Sequence, residues 1–197
     1  MPNPARLATA RAALSAGAPA PDSFAVAALR AAGLTPPFER RFLVRADPPV
    51  VAGFVAGGHP AHRDTLVVAL GLGPDGGAAL LEAARLLSAR SAYVPDPPRT
   101  VLAGVVFTAR GGAPATDAVT ATTDLLGLPL WSSDAVVALV VVGPGAAGAT
   151  RAASERGLEF LAVEPQGDLA ATALAAHDAL VAAAWPTTVP DTLEVPR

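Results

Sequence analysis

The residues best placed to do chemistry lie in a glycine-rich turn, Gly143-Pro144-Gly145-Ala146-Ala147-Gly148, which matches G-x-G-x-x-G. It follows an apolar run, Val136 to Val142, and opens a segment with helical spacing. A second strand-like run, Phe160 to Val163, ends at Glu164. In such a turn glycines let a pyrophosphate approach the amides of a helix N-terminus, and an acid after the second strand can hold a ribose hydroxyl. On that reading Gly143, Gly145, Gly148 and Glu164 form a dinucleotide site for NAD or FAD. The competing reading is an ordinary tight strand-to-helix turn in a chain rich in Gly and Ala. Only one strand-helix-strand unit and one further helix follow Gly143, so the remaining strands of a Rossmann half would have to come from upstream.

Other clusters are weaker. His59-Pro60-Ala61-His62 with Asp64 holds metal-ligating residue types, but no helix places both imidazoles on one face, and Pro60 stiffens a segment that reads as a polar loop. A further reading is a hydrolase using a single unconventional metal at Asp75 and His59 or His62. Ser132-Ser133-Asp134 reads as a cap rather than a nucleophile, because no G-x-S-x-G elbow exists. Asp117 and Asp124 share a solvated helix face, and Trp131 and Trp185 read as packing aromatics.

Composition narrows the field further. Cysteine is absent, which excludes disulfides, thiolate metal sites and Cys nucleophiles. All 14 cationic residues are Arg, so neither a Schiff-base lysine nor a Walker lysine is available. The net charge of −3 and the scattered arginines give no basic surface for nucleic acid. Met1 to Ala20 contains Arg6 and Arg11 and no signal-peptide core, and Ala135 to Val142 is too short to cross a bilayer. The expectation is a cytoplasmic protein with no membrane or nucleic-acid partner, binding a small molecule, peptide or protein.

The elements that must position these residues follow from periodicity. Leu7–Ser15 and Phe24–Ala32 have helical spacing, the second ending at Gly33. Arg41–Arg45 and Val50–Val55 read as two strands of a hairpin-like pair across Asp47-Pro48-Pro49, forming an antiparallel edge. Thr65–Leu70, Thr100–Thr108 and Val136–Val142 are apolar throughout, as strands buried on both faces are. Helices are predicted over Gly77–Arg90, Thr116–Leu125, Ala146–Arg156 and Leu169–Ala184. In the first of these, Leu80, Leu81, Ala84, Leu87 and Ser88 form the apolar stripe, and Glu82, Arg85 and Arg90 lie away from it. The alternation predicts a three-layer α/β/α sandwich with a mostly parallel, mixed sheet. The domain plan is a helical segment over 1–21, one α/β domain over 22–184 and a tail over 185–197.

Four segments, in order, resemble the di-zinc aminopeptidases, the family of the bacterial leucyl aminopeptidases and the transferrin-receptor protease-like domain. They are FAVAALRAAGLTP (Phe24–Pro36), VVAGFVAGGHPAHRDTLVV (Val50–Val68), GAALLEAARLLS (Gly77–Ser88) and RTVLAGVVFTA (Arg99–Ala109). The resemblance implies a zinc-exopeptidase-like fold and two zinc ions activating a water, with a free Glu as base. Residue by residue, the positions it implies are not filled. Leu70-Gly71-Leu72 stands where the family has a His-x-Asp turn. The loop for the bridging Asp is shortened to Gly73-Pro74-Asp75-Gly76-Gly77. Arg110 and Gly111 stand for the glutamate pair, Val140 for the next Asp, and Glu164-Pro165-Gln166-Gly167-Asp168 for the last His. Val and Gly have no lone pair to donate, and Arg110 would repel a cation. The resemblance therefore implies a catalytically inactive, peptidase-like binding or scaffold domain without zinc. Its residual pocket is expected at Leu70, Asp75, Arg110 and Gly143, with Arg110 as the anion-binding group.

Overall fold

Six strands hydrogen-bond into one sheet in the order β1-β2-β4-β3-β5-β6. The computed structural model describes residues 1–15, 21–36, 42–46, 49–55, 65–89, 97–106 and 135–185. The strands are β1 (Leu43–Ala46), β2 (Pro49–Val55), β3 (Leu66–Leu72), β4 (Thr100–Val106), β5 (Val136–Val142) and β6 (Glu159–Val163). β1 pairs with β2 and β2 with β4 antiparallel, while β3 pairs with β4 and β5, and β5 with β6, in parallel. The antiparallel edge and the mostly parallel centre are those the sequence predicts. The layered α/β class stands.

The two faces of the sheet differ in side-chain size. Val67, Ala69, Val101, Ala103, Val105, Ala138, Val140 and Val142 face one core, and Leu66, Val68, Leu70, Leu72, Leu102, Leu139 and Val141 face the other. The small-residue face carries the helices α1 (Pro4–Leu14), α2 (Pro21–Ala31), α3 (Gly73–Ser88) and α5 (Leu169–Ala184). On the leucine face, among the described residues, lie a 3-10 turn (Ala146–Ala149) and a short helix, α4 (Thr150–Ser154). Alanines and valines under α3 and α5 let helix backbones come close, so a core of small side chains still excludes water.

α3 is the central helix. It packs on β3 and β4, runs beside α5, and is covered from outside by α1. Every residue from Gly76 to Ala84 is buried as a result. This corrects the amphipathic reading of the segment, because Glu82, predicted on the solvent side, is only 4% exposed. α3 also starts four residues before the predicted Gly77, with no connecting residue after Leu72. Gly73-Pro74-Asp75-Gly76-Gly77 is therefore a first helical turn rather than a loop. A Pro in the first turn and an Asp near the N-terminal dipole suit that position.

Smaller differences have local causes. α1 begins at Pro4 because Asn3 caps it, its side chain accepting from the amides of Ala5 and Arg6 at 3.0 and 3.2 Å. The predicted helix Ala146–Arg156 is broken into the 3-10 turn and α4, since Gly145 enters it in the left-handed region and Gly157 leaves it there. α5 occupies its predicted span, capped by the Asp168 carboxylate on the Ala171 amide at 2.7 Å. Among the described residues no helix is long and apolar enough to cross a membrane.

Candidate functional site

The C-terminal ends of β3 and β5 lie side by side, Gly71 opposite Val142. Open α/β sheets keep their chemistry at such strand ends. Here the space is filled by the first turn of α3. A Cβ built on Gly71 would sit 2.6 Å from the Gly76 carbonyl oxygen and 2.8 Å from the Gly77 Cα. A Cβ on Gly76 would run into the Val142 carbonyl oxygen, and one on Gly143 would lie 2.8 Å from the Leu72 carbonyl oxygen. Backbone thus packs on backbone at three glycines, leaving no room for a side chain at any of those positions.

Of the residues of the predicted pocket, Leu70, Asp75 and Gly143 lie among the described ones. Leu70 is fully buried and points into the leucine core, away from the strand ends. Gly143, at φ 121°, is wedged against Leu72 and Gly76. Asp75 turns toward α1, where its Oδ1 meets the Arg11 Nε at 2.6 Å. Arg110 lies outside the described residues, as do His59, His62, Asp64, Asp117, Asp124, Trp131 and Ser132 to Asp134. Val140, where the family resemblance implies an Asp ligand, is fully buried beneath the helices. Among the described residues no group of three or more His, Asp or Glu side chains comes together to hold a metal. Among the described residues, the groups at the implied positions do not fit a di-zinc centre: Leu, Gly and Val offer no donor, and Asp75 is engaged by a cation of the chain itself.

The glycine-rich turn has a different geometry from the one its motif implies. β5 and β6 are parallel neighbours, as a strand-turn-strand unit needs. However, the Glu164 carboxylate is bonded to the turn, accepting from the Gly145 amide at 3.2 Å and from the Ala147 amide at 3.1 Å. Those are amides that a phosphate would use. Gly145 is left-handed, at φ 77°, whereas Gly148 is exposed, and the buried position against the strands belongs to Ala149. The glycine that should let helix and strand approach is one residue out of place for that role.

Sequence reasoning missed a polar cluster on the outer side of α3. Glu82 accepts from Arg85 at Nε (2.9 Å) and Nη2 (2.7 Å) and from the Asn3 amide (2.9 Å). Burial alone raises the Glu82 carboxyl. The Arg85 hydrogen bonds, the Asn3 amide and the charges of Arg85 and Arg6 together outweigh it, so its pKa is lowered. The same hydrogen bonds raise Arg85 despite its own partial burial. The signal available in the sequence was the Glu82–Arg85 spacing, but nothing local shows that α1 folds over it.

The fold thus defines a layered α/β domain with a mixed sheet whose strand ends are closed by a helix. No family model matches the chain, and no curated protein matches it in sequence. Among solved structures it is similar to glutaminyl cyclase from Porphyromonas gingivalis in two determinations. One is 14% identical, covers 90% of this chain and 80% of that one, and has a TM-score of 0.44. The other is 11% identical, covers 90% and 81%, and has a TM-score of 0.46. At that distance nothing about substrate or chemistry transfers.

Proposed function

We propose that this chain is a degenerate aminopeptidase-like domain that works by binding a small molecule, peptide or protein and not by hydrolysis. The carrying observation is the direct junction of β3 and α3. Where the family resemblance calls for a metal-bearing loop, Leu72 passes straight into a helix whose first turn packs against the end of β5. Asp75, the nearest candidate bridging carboxylate, is held by Arg11. A hydrolytic water needs a cation or a free base beside open space for substrate, and among the described residues the ends of β3 and β5 are packed by helix backbone and bring no metal-holding group of His, Asp or Glu together.

The dinucleotide reading of Gly143, Gly145, Gly148 and Glu164 gains support from the parallel β5–β6 pair and loses it at Glu164. A pyrophosphate would have to expel a carboxylate already bonded to two amides, and then share the site with its charge. The test is an aminopeptidase assay on the purified full chain with added zinc, using leucine p-nitroanilide, alongside zinc and NAD titrations. The expected result is turnover no faster than buffer and no stoichiometric zinc or NAD binding. Zinc-dependent turnover abolished by a chelator would overturn the proposal. NAD binding at one equivalent, lost in Gly145→Val, would replace it with the dinucleotide reading.

A further inference from the structure

A cleft of about 680 Å³ opens between α1, α2 and α3, within the size range of small-molecule sites. Its walls are apolar, from Phe24, Ala27, Ala28 and Ala31 of α2 and Leu81 of α3. Its polar end holds Glu82, Arg85 and Arg6. Glu82 is already saturated by Arg85 and the Asn3 amide, so it has little capacity left for a cationic guest. Arg85 spends Nε and Nη2 on Glu82 and keeps its Nη1 donors. The Arg6 guanidinium makes no hydrogen bond or ion pair among the described residues, yet its charge reaches Glu82. Two guanidinium groups against one carboxylate leave the polar end with a net positive charge beside an apolar wall.

We infer that this cleft binds an amphipathic carboxylate, its head between Arg6 and Arg85 and its hydrocarbon body along Phe24, Ala27, Ala28 and Leu81. A guanidinium pairs a carboxylate through two parallel N–H donors, and does so more strongly where the apolar wall excludes water. The aliphatic part gains roughly 25 cal/mol for each Å² of apolar surface it covers. A concave site with a charged end favours a small guest over a flat protein surface, and the sign of that end favours an anion. This inference concerns the outer side of α3 and stands whether or not the strand ends retain chemistry.

The test titrates the full chain calorimetrically with decanoate and with decylammonium, below their micelle concentrations and at low salt. Decanoate should bind at one site, at least tenfold more tightly than decylammonium. Arg6→Gln, an exposed change that leaves the core intact, should weaken decanoate about tenfold, and Ala27→Trp should abolish binding by filling the cleft. Circular dichroism and thermal melts confirm that both variants fold. Absence of decanoate binding at millimolar concentration, equal binding of decylammonium, or binding that survives either substitution overturns the assignment. So does a dimer of the unliganded chain that Ala27→Trp disperses in sedimentation, which would give the cleft to a second copy.

Discussion

Replacing Gly76 by Ala tests whether the strand ends are sealed as described. In an exposed helix the change would stabilise by about 1 kcal/mol, because Gly is the poorer helix former. Here the added methyl would strike the Val142 carbonyl oxygen and come within 3.0 Å of the Gly143 Cα. Both are backbone atoms, so no side chain can swing aside, and either α3 or the end of β5 must shift. Overpacking of this kind costs about 3 kcal/mol. The net loss is then about 2 kcal/mol, and the melting temperature of a domain this size should fall by roughly 4–8 °C. Gly148→Ala, at an exposed position of the same strand-end region, should stay within about 0.5 kcal/mol of wild type. Thermal melts by calorimetry and circular dichroism read both. A Gly76→Ala melting temperature equal to or above wild type would refute the close packing of α3 on β5, and with it the account of the missing site.

Two further outcomes follow from the carboxylates. Glu82 has a lowered pKa in the folded state, so its contribution is fully present above the ordinary carboxyl pKa and is lost as pH falls through the folded value. Glu82→Gln should therefore cost about 2–3 kcal/mol at pH 7, and urea titrations should show the gap from wild type closing as pH drops below the ordinary carboxyl value of 4.5. Glu164→Gln should cost about 1 kcal/mol and speed amide hydrogen exchange at Gly145 and Ala147, while exchange in β5 stays unchanged.

The strands and the last helix were legible because their signals are strong and local. Val136 to Val142 is an unbroken apolar run, buried at every position but Val137, and Leu169 to Ala184 has a capping Asp before it and no breaker inside. What could not be read depended on a neighbour distant in sequence. Gly-Pro-Asp-Gly-Gly has the composition of a turn, and only the need to pack Gly76 and Gly77 against β5, β4 and α1 makes it helical. Glu82 looked like a surface residue because the period of α3 reports one buried stripe, whereas α1 covers the opposite side as well. The Gly143–Gly148 motif was visible, but not that Glu164 folds back onto its amides. Of the predicted pocket, the adjacency of β3 and β5 was within reach of sequence, and the orientation of Leu70 and Asp75 was not.

The zero-length junction between Leu72 and Gly73 limits what the end of β3 can carry. A His or Asp side chain at Leu70 or Leu72 would enter the leucine core, and one at Val140 the core beneath the helices, so none would reach an open strand end. A longer connection there would take an insertion that pushes α3 away from β5, and with it the α1 and α5 contacts that bury α3. Such an insertion would loosen the packing of Gly76 and Gly77 before it added any new group at the strand end.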